Sequence, residues 1–264
     1  MSKPLTIVKV GGKVIEDQAK FEAFLDQFAA IEGPKILVHG GGVMASQLAE
    51  LLGIPVNMID GRRVTCQKTI DVVTMVYAGK INKTIAAQLN RRLIPAIGLC
   101  GADNFLVKAK RRPNEPIDFG FVGDVTGVNH EFLNHLLQGG LTPVLAPLSC
   151  DETGQILNTN GDTIASAVAS AMCQLGYKVT LLYMTNLAGV MEDPRDAASL
   201  IPRIDQDLAK TLHQTGVVSD GMLPKLDNCF VAKRSGAVRV AIGHWQKSRD
   251  LTDPTMACGT EIVL

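Results

Sequence analysis

The chain has 264 residues, enough for two lobes, and its 46% hydrophobic and 20% charged residues are the balance of an ordinary soluble globular protein. Twenty-six basic residues meet twenty-six acidic ones, so the formal net charge is zero and no global field draws the protein to nucleic acid or to a membrane. No apolar run reaches membrane-span length, the opening MSKPLTIVKVGG has neither the apolar core nor the cleavage site of a secretory leader, and the six scattered cysteines (Cys66, Cys100, Cys150, Cys173, Cys229, Cys258) form no C-x-x-C pair, which fits reduced thiols in a cytoplasmic protein.

In chain order, PLTIVKV reads as a buried strand that ends at Lys9 and the Gly11-Gly12 turn. KFEAFLDQFAAI follows with Phe21, Phe24, Leu25 and Phe28 at helical spacing, and KILVHG is a second buried strand. Met44, Leu48, Leu51 and Leu52 mark the next helix. PAIGLC, PVLAPL, VTLLYM and VRVAI are later strand candidates with helical patterns between most of them. Strands alternating with helices predict an α/β fold, an open and mainly parallel sheet with helices on both faces. DFGFVGDVTGV breaks that rhythm and reads as a hairpin laid over an edge or mouth of the sheet, with RRPNEP as a loop before it. A lobe boundary is placed near QLGYK, dividing the chain into residues 1–176 and 177–264.

Several stretches carry chemistry. In HGGG, His39 to Gly42, glycines let backbone approach a ligand closely, and a helix that follows aims its free N–H groups at the same spot, which makes an anion site. The same residues read Gly40-x-Gly42-x-x-Ala45 with Asp60 about 20 residues on, a form of the dinucleotide-binding fingerprint; that rival leaves the Lys9 turn and the later motifs unexplained. No Walker A sequence is present. Lys9, at the carboxyl end of a strand, can hold a phosphate as a flexible point charge or simply reach for water. DGRRVT offers Arg62 and Arg63, forks suited to carboxylates or a solvated basic loop. In LNTNGD, Asn158, Asn160 and Asp162 share one face if the segment is extended, and Asp162 either caps the following helix or sits between anion-binding lysines. In SDGMLPK, Gly221 precedes a helix with Pro224 in its first turn, so Lys225 lies where the helix dipole disfavours a cation, a placement better explained by an anionic ligand than by helix stability.

Taken together, KVGGK, LVHGGG, DGRRVT, AGKINK, DFGFVGDV, LNTNGD, SDGMLPK and the terminal CGTEIVL resemble the amino acid kinase family, in the expected order and over nearly the whole chain. Within it the set is most similar to the kinases that act on N-acetylglutamate. The resemblance implies an αβα sandwich in two lobes, with the first lobe holding the amino acid substrate and the dimer contact and the second holding ATP. Lys9 and Lys225 match the lysines that stabilise the transferring phosphoryl group, and Asp162 matches the aspartate that organises them. Gly11, Gly12, Gly41 and Gly42 match the phosphate-holding turns, with Gly41 and Gly42 on the acceptor side and Gly11, Gly12, Asn186 and Gly221 on the nucleotide side. Arg63 and Asn158 match the residues that hold the substrate's carboxylates. The implied reaction is ATP- and Mg²⁺-dependent phosphorylation of a γ-carboxylate in arginine biosynthesis, in a cytoplasmic homodimer with no dedicated protein cage for the metal. A carboxylate acceptor is already ionised, so no general base is needed and His39 is expected to be structural.

Two departures from the family pattern stand out. Asn186, in TNLAGV, replaces an aspartate, and Arg62 stands where an aliphatic residue is common. A second arginine beside Arg63 leaves N-succinyl-L-glutamate open as the acceptor in place of N-acetyl-L-glutamate. A sibling kinase and a catalytically silent sensor also stay open, with Lys9, Asp162 and Lys225 all present weighing against the sensor. The first strand begins almost at once, whereas arginine-inhibited relatives carry an extra N-terminal helix, so weak or no arginine feedback is expected.

Overall fold

The computed structural model describes residues 3–59, 61–193, 195–196, 198–218, 222–244 and 259–264. β1 (Pro4–Val10) leads through a glycine turn into α1 (Gly12–Glu16) and α2 (Gln18–Ala30). β2 (Lys35–His39) leads into α3 (Gly42–Leu51), and a short ribbon follows, β3 (Met58–Ile59) with β4 (Arg62–Arg63). A long helical run continues as α4 (Gln67–Thr74), a π-helical stretch (Met75–Ile81) and α5 (Asn82–Arg91). Next come β5 (Ala96–Leu99), β6 (Val107–Arg111), β7 (Gly123–Val128), α6 (His130–Gln138), β8 (Thr142–Leu145), β9 (Leu148–Cys150), β10 (Ile156–Asn158) and α7 (Gly161–Gln174). The remainder is β11 (Lys178–Thr185), β12 (Arg203–Ile204), α8 (Gln206–Gln214), α9 (Leu223–Arg234), β13 (Arg239–His244) and β14 (Thr260–Ile262).

The main sheet has eight strands in the order β12-β14-β13-β11-β1-β2-β8-β5. Its pairs are parallel except β13 with β14. β1 sits centrally between β2 and β11, so one sheet runs through both halves of the chain, although α7 ends and β11 starts at the QLGYK segment. Strand alternation sorts the core onto two faces. Leu5 and Ile7 of β1 join Leu181 and Tyr183 of β11 and the apolar residues of α7 and α9, whereas Val8, Val10, Leu182 and Met184 join those of α2, α4 and α5. Lys9 shares the face of Ile7, which aims it at α7 and α9.

α2 forms because Phe21, Phe24, Leu25 and Phe28 make one fully apolar stripe, all of it buried, and each such side chain contributes roughly 1.5–3 kcal/mol of burial. Lys35 closes the end of that helix, its ammonium donating to the carbonyls of Ala29 at 2.8 Å and Ile31 at 2.6 Å, which satisfies acceptors a helix C-terminus leaves open.

Two expectations are corrected. DFGFVGDVTGV is not itself a hairpin: it supplies only β7, whose antiparallel partner β6 lies on the other side of the RRPNEP loop, and β9 and β10 extend the pair into a second sheet of four strands, with β7 against α7. Of the residues that mark α3, Leu51 and Leu52 are 83% and 55% exposed, and the helix buries Ala45 and Ala49 instead. Small residues are needed there because α3 packs closely on α1 and α4. Asn158, Asn160 and Asp162 do not share an extended face: β10 ends at Asn158, Asn160 is the N-cap of α7, and Asp162 is already helical.

Candidate functional site

The centre of the site is Asp162. Its carboxylate oxygens lie 2.7 Å from Nζ of Lys9 and 2.6 Å from Nζ of Lys225, so residues from β1, α7 and α9 converge on one carboxylate. All three side chains are almost wholly buried. Asn160 caps α7 by accepting from the Asp162 amide at 2.7 Å, which frees the Asp162 side chain for the lysines. Burial alone would raise the Asp162 carboxyl, but the two ammonium groups outweigh it and hold it at about 2. Lys225 is shifted down, first by burial and then by Lys9, against the pull of Asp162. Tyr183, the register partner of Lys9, supports the cluster: its hydroxyl donates to the Asp162 carbonyl at 3.0 Å and its ring lies 5.1 Å from Nζ of Lys225. Two ammonium groups against one carboxylate leave surplus positive charge, an arrangement that suits a ligand anion.

The two glycine turns pack against each other beside this cluster. The Gly40 amide donates to the Val10 carbonyl at 3.0 Å, and a Cβ on Gly40 would stand 3.1 Å from the Gly12 nitrogen. A Cβ on Gly41 would collide with Ile81 and Tyr77. The N-caps of α1 and α3 are Gly11 and Gly41, which provide no side-chain cap, so first-turn amides of α3 stay available to an anion. Gly161 also must stay small, since a Cβ there would meet the His39 carbonyl at 3.1 Å and Cε of Lys9 at 3.4 Å.

A cleft of about 410 Å³, ordinary for a small-molecule site, opens from these turns and is walled by Gly41, Gly42, Arg62, Arg63, Asn158 and Gly161. Arg63 is buried, its Nη2 donating at 2.8 Å both to the Gly42 carbonyl and to Ser46 Oγ. Thr65 links the two expected carboxylate holders: its hydroxyl donates to the Arg63 carbonyl at 2.9 Å and accepts from Asn158 Nδ2 at 3.0 Å. The loop of DFGFVGDV clamps this arrangement, with Thr65 N donating to Phe119 O at 2.9 Å, Phe121 N to Thr65 O at 2.7 Å, and Asn158 N to Phe121 O at 2.8 Å. Gly120 adopts φ +70° in that clamp, with the Thr65 carbonyl where a Cβ would be.

The structure therefore brings together Lys9, Asp162 and Lys225, and in the adjoining cleft Gly41, Gly42, Arg62, Arg63 and Asn158; the Gly11-Gly12 turn packs against Gly40 and Gly41 and is not itself part of the cleft lining. Asn186 is exposed in the turn after β11, at the same carboxyl edge of the sheet but outside the cleft. Gly221 and Asp60 lie outside the described residues. His39 is fully buried, its Nδ1 donating to the Gly40 carbonyl at 2.8 Å and its Nε2 accepting from Asn82 at 3.2 Å; burial pushes it down to about 4, so it is neutral and structural. Lys225 is not an exposed lysine tolerated at a helix start, because Asp162 supplies the anion that offsets the dipole.

Three participants were not read from the sequence: Thr65, Tyr77 and Arg112. Tyr77 lines the cleft from the π-helical stretch, a distortion often found at functional sites. Arg112 also lines the cleft, its Nε donating to Asp124 at 3.1 Å. Thr65 lies within DGRRVT, Tyr77 directly before AGKINK and Arg112 within RRPNEP, stretches that were read without singling these residues out.

The amino acid kinase family profile matches residues 4–244. The acetylglutamate kinase of Cytophaga hutchinsonii is 45% identical over 260 residues, 98% of each chain. That of Phocaeicola vulgatus is 46% identical over 242 residues, 92% of this chain and 94% of the relative. Among solved structures, smu.665 from Streptococcus mutans UA159 superposes with a TM-score of 0.78 at 25% identity over 98% of both chains. The N-acetylglutamate synthase of Neisseria gonorrhoeae, complexed with coenzyme A and N-acetyl-glutamate, matches in fold with a TM-score of 0.81 at 18% identity, covering 100% of this chain and 60% of that one. With the family profile spanning most of the chain and these relatives covering it almost end to end, the chain belongs to the amino acid kinase family.

Proposed function

We propose that this protein is an ATP-dependent kinase that phosphorylates the γ-carboxylate of an N-acyl-L-glutamate, the reaction class of the acetylglutamate kinases it resembles, in arginine biosynthesis. The observation that carries the reading is the Lys9–Asp162–Lys225 cluster beside a cleft bearing Arg63 and Asn158, in a chain 45% identical to an acetylglutamate kinase. Arg63 and Asn158 hold the α-carboxylate, and the γ-carboxylate extends past Gly41 and Gly42 toward the lysines. A γ-carboxylate oxygen then attacks the terminal phosphorus of ATP; the new P–O bond forms as the bond to the ADP oxygen breaks, and no proton moves. Lys9 and Lys225 shield the charge that spreads over the transferring group, and Asp162 keeps both ammonium groups aimed.

Mg²⁺ arrives with the nucleotide. Asp162 is the one buried carboxylate among the described residues and is committed to two lysines, and no group of three His, Cys, Asp or Glu side chains there is placed to hold a metal. That donor set suits an ion carried mainly by phosphate oxygens and water. Gly11, Gly12, Asn186 and Gly221 serve the nucleotide, whose lobe is residues 177–264, while residues 1–176 hold the acceptor. The exposed Leu51, Leu52 and Met75 of that first lobe support a homodimer built through it. No described helix is long and apolar enough to cross a membrane, and a cytoplasmic location is in keeping with free buried thiols at Cys100, Cys150 and Cys229.

The test is trapping of the acyl phosphate as its hydroxamate in the presence of ATP, Mg²⁺ and the N-acylglutamate. Hydroxamate that requires all three supports the reading; folded protein that binds ATP yet forms none makes it a sensor and removes the proposal.

A further inference from the structure

The cleft holds more guanidinium groups than an N-acetylglutamate dianion uses. The α-carboxylate takes Arg63, and the γ-carboxylate faces the lysine cluster. Arg62 and Arg112 remain on the same cleft, against Asp124, which is paired to Arg112, and the exposed Asp227. The Arg62 side chain is exposed and makes no hydrogen bond or ion pair with a described residue, its backbone pairing with Ile59; the neighbouring Arg63 is buried, with Nη2 bound to Gly42 and Ser46 and Nη1 without a partner among the described residues. Arg112 is only partly satisfied: Nε and Nη2 face Asp124, while its buried Nη1 has no partner among the described residues.

Position matters as much as charge. The α-carboxylate and the N-acyl group leave the same carbon of a glutamate, so once Arg63 and Asn158 hold the first, the second projects into the same end of the cleft. Arg112 is tied to that end: its amide donates to the Val122 carbonyl at 2.8 Å, and Val122 bridges to Asn158. The acyl group therefore faces Arg62 and Arg112. A terminal methyl there would leave the buried Nη1 of Arg112 without a partner and the exposed Arg62 fork unused, whereas a carboxylate would pair with them in fork geometry.

We infer that the acceptor is an N-acylglutamate whose acyl chain itself ends in a carboxylate, of the N-succinyl type, and that Arg62, assisted by Arg112, reads that third carboxylate. This rests on the kinase reading above.

The experiment compares kcat/KM for N-acetyl-, N-succinyl- and N-succinamoyl-L-glutamate in the intact enzyme and in Arg62→Leu and Arg62→Lys. The succinamoyl compound keeps the shape and removes the charge. The intact enzyme is expected to prefer succinyl over both others by about 10- to 100-fold, the scale of a charge-assisted hydrogen bond that only one ligand makes. Arg62→Leu should collapse the succinyl-over-acetyl ratio to within a few-fold of unity, mainly through KM, and Arg62→Lys should recover part of it. Turnover of acetyl equal to or better than succinyl, or a preference that survives Arg62→Leu, overturns the inference and leaves the kinase reading standing. Absence of acyl phosphate with every compound overturns both.

Discussion

Replacing Asp162 by Asn removes the charge that holds two buried ammonium groups while keeping the shape. The magnitude has two bounds. The fall of the Asp162 carboxyl from an ordinary 3.8 to about 2 corresponds to roughly 2 kcal/mol of folding stability at neutral pH. Removing one member of a buried ion pair costs about 3–5 kcal/mol, because the partner charge is left uncompensated. Here two partners, Lys9 and Lys225, are left facing each other, so Asp162→Asn should lose about 3 kcal/mol. Urea unfolding at pH 7 measures the loss as a lower midpoint at unchanged slope. The pH dependence is specific. A carboxyl lowered in the folded state stabilises fully above its unfolded value near 4, and that contribution fades as pH falls toward the folded value of about 2. The gap between the two proteins should therefore be constant from pH 7 to about 5 and narrow below about 4. Turnover should fall about 10²- to 10³-fold, since the lysines lose their alignment on the transferring group. A variant of unchanged stability, or a stability gap that widens on acidification, would refute the reasoning.

Other consequences concern single contacts. Lys9→Met and Lys225→Met should each lower kcat about 10²-fold or more with little change in KM for either substrate, as steady-state kinetics would reveal. Arg63→Lys keeps the charge but loses the fork that contacts Gly42 and Ser46; KM for the acylglutamate should rise about 10- to 100-fold while ATP affinity, read by calorimetry, holds. His39 is neutral because burial depresses it to about 4, so its ring resonances in heteronuclear NMR should not titrate between pH 5 and 8. Replacing His39 should leave the shape of the rate profile over that range unchanged.

Much of this architecture was legible in the residues. The apolar runs ending in Lys9 and His39 are strands because buried parallel strands leave continuous hydrophobic stretches, and the glycines that follow are forced by two turns packed within van der Waals distance of each other. The alternation of β1 was enough to put Lys9 on the α7 and α9 face once the strand was granted. Other features depend on tertiary geometry that no local pattern encodes. Whether Asp162 caps its helix or binds lysines turned on Asn160 taking the cap. Leu51 and Leu52 fit a helical stripe, yet the close approach of α3 to its neighbours selected the alanines for burial. Tyr77 enters the cleft through a π-helical turn that shifts helical register, and Arg112 arrives through a long-range pairing of β6 with β7. Neither follows from spacing along the chain.

The most direct measurement uses an N-acylglutamate labelled with oxygen-18 in the γ-carboxylate. The enzyme, ATP and Mg²⁺ are run with hydroxylamine present, and the released phosphate is read by phosphorus NMR. Attack of the carboxylate on the terminal phosphorus predicts one oxygen-18 in every phosphate released through hydroxamate. Unlabelled phosphate would mean that water, not the carboxylate, accepts the phosphoryl group, and would contradict the assignment of Lys9, Asp162 and Lys225 to acyl-phosphate formation.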